Sequence, residues 1–174
     1  AKEIELAVQG FGYADGSLSE IAKCDVTRSL LVWRSDTRQI YFLAEEIYSE
    51  DWEFVTRPCL PLYRVYLDTW EPGQPNNEDI SAPYADAIVP RFGIGKVWRE
   101  HFYGDQGERE GVRLYFATGP EEHTKGKVQP FEQATMLYRE DTGEIYVLFP
   151  EFAHQSATVE GLTTDPLWFK IESR

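Results

Sequence analysis

The sequence predicts a mainly β (α+β) chain built from two pseudo-repeated antiparallel β-hairpin/meander units with short helices. Three observations lead there. First, the stretch SLLVWRSDTRQIYFL, Ser29 to Leu43, returns as ATMLYREDTGEIYVL, Ala134 to Leu148. Arg34, Asp36, Thr37, Ile40, Tyr41 and Leu43 reappear at one spacing as Arg139, Asp141, Thr142, Ile145, Tyr146 and Leu148, which points to duplicated structure. Second, several short runs alternate apolar and polar residues with the period of a half-buried strand. Third, five Trp, ten Tyr and ten Phe among 174 residues supply the aromatic side chains that pleated strands favour.

In chain order, AKEIELAVQGF alternates Ile4, Leu6 and Val8 with Glu3, Glu5 and Gln9, and so predicts a strand. Its partner is either the protein's own sheet or the exposed edge of another copy, joined by strand addition. Ser17 and Glu20 stand at capping-box spacing ahead of Ile21 and Ala22, which predicts a short helix. Leu30 to Arg34 and Gln39 to Leu43 form the first hairpin, with Asp36 suited to the turn. Further strands are expected at Asp51 to Val55 and Leu62 to Leu67, completing a meander. From Glu71 to Pro90, four prolines and the Asn76–Asn77 pair deny regular structure. Val97, Trp98, His101 and Phe102 make a helical stripe, and Glu108 to Tyr115 is read as a second short helix. The second hairpin follows, its loop eased by Gly143, and a last strand is expected around Leu167 to Ile171. The resulting organisation is a first β half over 1–70, a Pro-rich linker over 71–90, and a second half over 91–174, the halves either separate or sharing one compact domain.

At 42% apolar or aromatic, the chain is able to bury a core. Thirty acidic against seventeen basic side chains give a net charge of −13, which repels phosphate backbones and anionic headgroups. Nucleic acid is therefore not an expected partner. Nor is membrane insertion expected, because no apolar run approaches the roughly twenty residues of a spanning helix. A start at Ala1 fits removal of a signal peptide, and fits an edited sequence equally. Cys24 and Cys59 are the only cysteines; they fit either one disulfide in an oxidising compartment, worth roughly 3–4 kcal/mol, or two buried thiols.

The run Phe116 to Tyr138, FATGPEEHTKGKVQPFEQATMLY, resembles the LGFP-type repeat of bacterial cell-envelope proteins. Gly119, Pro120 and Glu121 match its turn, Gly126, Gln129 and Phe131 its G-x-x-Q-x-F core, and Met136 to Tyr138 its strand. GIGKVWRE, Gly93 to Glu100, looks like the helix ahead of such modules, so the likeness covers about a third of the chain. Ala134 stands where the pattern usually keeps Gly, and the first half lacks the segment before its hairpin. The resemblance implies a secreted or cell-surface protein with a non-catalytic role in attachment or structure. It brings no active site to carry over.

Chemical motifs are sparse. Asp36 and Asp141 occupy equivalent hairpin tips and so could suggest a glycosidase pair, but turn chemistry alone accounts for an Asp in both copies. His101, His123 and His154 lack any HExxH-type spacing, and GIGK at Gly93 lacks the full phosphate-loop pattern. Glu121, Glu122 and His123 are read as an acidic loop rather than a metal site, and Asn76, Asn77, Glu78 and Asp79 as a solvated one. No catalytic residue, metal ligand or cofactor is expected. Trp33 with Tyr41, and Tyr138 with Tyr146, are candidate stacking platforms for a sugar ring. Ile4, Leu6 and Val8 are the candidate assembly strand. The leading expectation is a structural or adhesive subunit that contacts copies of itself, envelope proteins or glycans; the alternatives are a carbohydrate-binding module and a hydrolase with dispersed residues.

Overall fold

The computed structural model describes residues 1–12, 14–16, 24–49, 63–110, 112–149 and 168–172. The expected helix at Ser17, the strand at Asp51, Cys59 with its bridge to Cys24, and His154 lie outside the described residues. Among the described residues the protein is mainly β, with ten strands in one antiparallel sheet and two short helices.

Strand β1 (Lys2–Phe11) lies in the middle of that sheet. Its Ile4, Leu6 and Val8 are buried on one face while Ala7 and Phe11 are buried on the other, so the strand is covered on both sides along most of its length. One edge pairs with β3 (Cys24–Arg34) from Leu6 to Phe11, and the other with β7 (Glu122–Pro130) from Lys2 to Val8. Beyond its paired stretch with β3, Glu5 still exchanges bonds with Ser35, its N–H donating to Ser35 Oγ and its carbonyl accepting from Ser35 N–H. From Leu6 to Val8 both edges of β1 are thus taken by strands of the protein's own sheet.

From β1 the sheet runs one way through β7, β8 (Thr135–Arg139), β9 (Glu144–Leu148) and β10 (Trp168–Glu172). The other way it runs through β3, β4 (Gln39–Ser49) and β5 (Tyr63–Leu67). One apolar cluster takes side chains from all eight of these strands, including Val32, Tyr41, Val128, Leu137, Tyr146 and Trp168. Such convergence requires the sheet to curl, as accumulated strand twist makes it do. Lys170 on β10 reaches Glu45 on β4 at 3.2 Å, across the mouth of the curl.

The outer face of β1, β3 and β4 carries the second cluster, where Phe42 meets Phe102 and Leu31 joins Val97 and Trp98. Here pack α1 (Phe92–His101) and α2 (Gly104–Glu110). The predicted helix over Glu108 to Tyr115 is a correction: helix ends at Glu110, and Val112–Leu114 forms β6, paired with β2 (Ala14–Gly16). Val112 and Leu114 bury alternately, a strand period that short apolar runs do not separate from a helical one. The two expected halves thus share one sheet, because β1 joins β3 to β7 and β2 joins β3 to β6. Segment 71–90 has no helix or strand, apart from a bridge between Ile88 and Ala117. It is strapped to α1, with buried Asn77 donating through Nδ2 to the carbonyls of Pro90 and Gly95.

Candidate functional site

Both hairpins carry the same polar set at the turn. In the first, Arg34 donates to Asp36 Oδ1 at 2.7 Å and Oδ2 at 2.8 Å, and to the Tyr41 hydroxyl at 3.1 Å. In the second, Arg139 meets Asp141 Oδ1 at 3.0 Å and the Tyr146 hydroxyl at 3.4 Å. The tyrosine hydroxyls donate onward to Gln39 and Glu144, which also accept from Thr37 and Thr142. Each arginine holds its aspartate below the usual carboxylate range. Arg38 and Gly143 fill equivalent turn positions in left-handed backbone, with φ of 55° and 72°; glycine takes that region freely, arginine at a cost. These residues tie turns shut, and each guanidinium already has its partners.

The expected aromatic platforms do not form. Tyr41 lies opposite Val32, and Trp33 opposite Ile40, so neighbouring register places Trp33 and Tyr41 on opposite faces of the sheet. Tyr146 opposite Leu137 and Tyr138 opposite Ile145 repeat the arrangement. Tyr41 and Tyr146 are buried core residues, and Tyr138 is half-buried on a strand separated from β3 by β7 and β1. Of the LGFP-like positions, Gln129 donates to the neighbouring carbonyl of Pro130, while Phe131 is 54% exposed.

Trp33 instead lines a cleft of about 410 Å³ on the helix-bearing face, within the range of small-molecule sites. Ala7 of β1 lies beside it. The walls come from Asp68 and Trp70 after β5, from Phe92, Gly93 and Ile94 at the start of α1, and from Glu121 and His123 where β7 begins. Local chemistry fixes each wall. Asp68 N–H donates to the Arg38 carbonyl at 2.7 Å, Trp70 N–H donates to Asp68 Oδ1 at 2.9 Å, and Arg38 reaches the Trp70 carbonyl and the Glu71 carboxylate, each at 2.9 Å. The first hairpin turn thereby holds the Trp70 loop.

Phe92 has φ of 54°, left-handed backbone that a bulky residue adopts only under constraint, and its ring meets Trp70 edge to face at 5.2 Å. Asn76 supplies the constraint by accepting from Phe92 N–H. Next to it, a Cβ on Gly93 would stand 2.5 Å from the Asp68 carboxylate, so only glycine admits that side chain against the helix start.

Glu121 accepts from His123 Nε2 at 2.8 Å. Burial pushes the Glu121 carboxyl upward; His123 opposes that shift, and the negative charge of Asp68 adds to it. The indole N–H groups of Trp33 and Trp70 are buried without an acceptor, an unmet hydrogen-bonding capacity beside the cleft. The arrangement offers aromatic faces, carboxylate acceptors and one imidazole. Among the described residues no three metal-ligating side chains converge, and no helix is long and apolar enough to cross a membrane.

Comparison of the chain with protein-family models, with curated proteins and with solved structures returns no match.

Sequence reasoning reached Trp33, and it noticed Glu121 and His123 only as part of an acidic loop. Trp70 carried a signal in hindsight, as a large aromatic beside a proline-rich segment that packs poorly in isolation. Asp68 and Phe92 gave none, since their role depends on the meeting of two distant chain segments.

Proposed function

We propose that this protein is a non-catalytic binding module of the cell surface or extracellular space, adhering through a glycan held in the cleft. The observation that carries the reading is the gathering of Trp33, Trp70 and Phe92 with Asp68, Glu121 and His123 around one opening. A sugar ring has an apolar face that stacks on aromatic side chains and hydroxyls that carboxylates accept. The secreted setting rests on the resemblance of Phe116 to Tyr138 and on the paired cysteine count. The matching Arg34–Asp36–Tyr41 and Arg139–Asp141–Tyr146 sets support a further reading, that the two hairpins are copies of one ancestral unit. Those copies serve as scaffold, while the ligand is bound beside only one of them, at Trp33.

Binding to an array of cell-wall polysaccharides tests the reading. A Trp70→Ala variant with an unchanged circular dichroism spectrum is expected to bind roughly tenfold more weakly. Equal binding by the variant, or an array with no response, would remove the cleft from the account.

Hydrolysis is a second reading, favoured by one observation: Glu121, with its carboxyl raised by burial, shares the cleft with Asp68. Release of new reducing ends from a bound oligosaccharide, abolished in Glu121→Gln, would establish it in place of simple binding.

A further inference from the structure

The cleft's charge narrows the ligand. Among its described lining residues are two carboxylates and no lysine or arginine, and its one basic group, His123, is engaged by Glu121 at 2.8 Å. The Asp68 side chain is only 11% exposed. Its nearest ion-pair partner, Arg38, stands 3.8 Å away, outside hydrogen-bond range, with its guanidinium committed to Glu71 and the Trp70 carbonyl. A negative charge therefore sits against the wall of an aromatic opening, its ion pair with Arg38 long at 3.8 Å and no lysine or arginine among the described lining residues. The electron-rich faces of Trp33, Trp70 and Phe92 attract positive charge for the same reason, and this attraction strengthens where water is displaced. The whole chain, at −13, adds a field that draws cations and repels anions.

We propose that the ligand carries a positive charge, and that it is a glycan of protonated amino sugars whose ammonium lies between Asp68 and the aromatic faces of Trp33, Trp70 and Phe92. The glycan half of this statement rests on the function proposed above; the cationic half rests on the charge and aromatic lining of the cleft alone. An acidic glycan is disfavoured by Asp68 and Glu121 together. A neutral or N-acetylated sugar stacks on the rings but leaves Asp68 with only its long pair to Arg38.

Calorimetric titration at about pH 6.5, where an amine of this kind is largely protonated, separates the two halves. The probes are the tetramers of glucosamine, N-acetylglucosamine and glucose, together with tetramethylammonium chloride. The expected result is binding of the glucosamine tetramer at least roughly tenfold tighter than the other two tetramers. Asp68→Asn, which keeps the shape of the side chain, should erase that preference, bringing the glucosamine tetramer to the affinity of the other two. Equal binding of all three tetramers would overturn the cationic ligand and keep the glycan. Binding of tetramethylammonium with no response to any tetramer would keep the cation and overturn the glycan. No binding by any probe, or a preference that survives in a folded Asp68→Asn, would overturn the proposal. Should Asp68→Asn fail to fold, Glu121→Gln supplies the second carboxylate change, and a preference undiminished both there and in Phe92→Leu would count against it in the same way.

Discussion

Arg34 and Asp36 are both 9% exposed at the side chain, so their contact is the more shielded of the two hairpin ion pairs; Asp141 of the second is 34% exposed. Breaking a buried pair by removing one partner costs about 3–5 kcal/mol, and solvent screening cuts that figure at the second turn. Both aspartates are held below their ordinary value of 3.8, in each case chiefly by the arginine hydrogen bond. A carboxylate with a depressed folded value contributes stability that is fully present above 3.8 and is lost as pH falls through the lower folded value. Thermal melts from pH 6 downward should therefore show a steep acid limb, and Asp36→Asn with Asp141→Asn should flatten it; an unchanged limb in the double variant would show that other groups govern acid unfolding. Phe92 makes the opposite kind of statement, since its left-handed φ of 54° costs stability and its ring serves the cleft. Phe92→Gly is expected to leave the melting temperature equal or slightly raised while weakening glycan binding several-fold. A loss of stability with intact binding would mean the ring is there for packing.

At the scale of elements, the sequence exposed most of what is periodic and local. Both hairpins, the terminal strand and the later half of the sheet-packed helix follow from alternation, turn residues and the Val97–Trp98–Phe102 stripe. What escaped is long-range. A strand's period tells which residues share a face, but the faces of Trp33 and Tyr41 depend on a register that only the folded pair sets, one residue from the expected alignment. The proline-rich segment was legible as irregular and illegible as a strap, because Asn77 acquires its role only when Pro90 and Gly95 come within reach of its amide. Asn77→Ala should cost about 1–3 kcal/mol by leaving those carbonyls without their donor. Hydrogen exchange provides the check: amides over 71–95 should lose protection while those of β3 and β4 keep theirs. Uniform protection across the variant would mean the strap is held elsewhere.

Over the whole molecule, a central strand does the joining. The β1 residues pair with β3 on one side and β7 on the other, and the cleft uses β1 and β3 as floor, the strap-bound helix as one wall and the start of β7 as another. No short segment contains the site, which is why motif reading found scaffolding and missed chemistry. The measurement that bears most directly on the central claim is an NMR titration of the indole N–H signals with whichever of the three tetramers binds best. Trp33 and Trp70 line the cleft and their N–H groups have no acceptor, whereas Trp98 is fully buried and donates to the Tyr115 carbonyl at 2.6 Å. The account predicts that the Trp33 and Trp70 signals move in proportion to occupancy and that the Trp98 signal stays in place. Saturation with the Trp33 and Trp70 signals unmoved would contradict it.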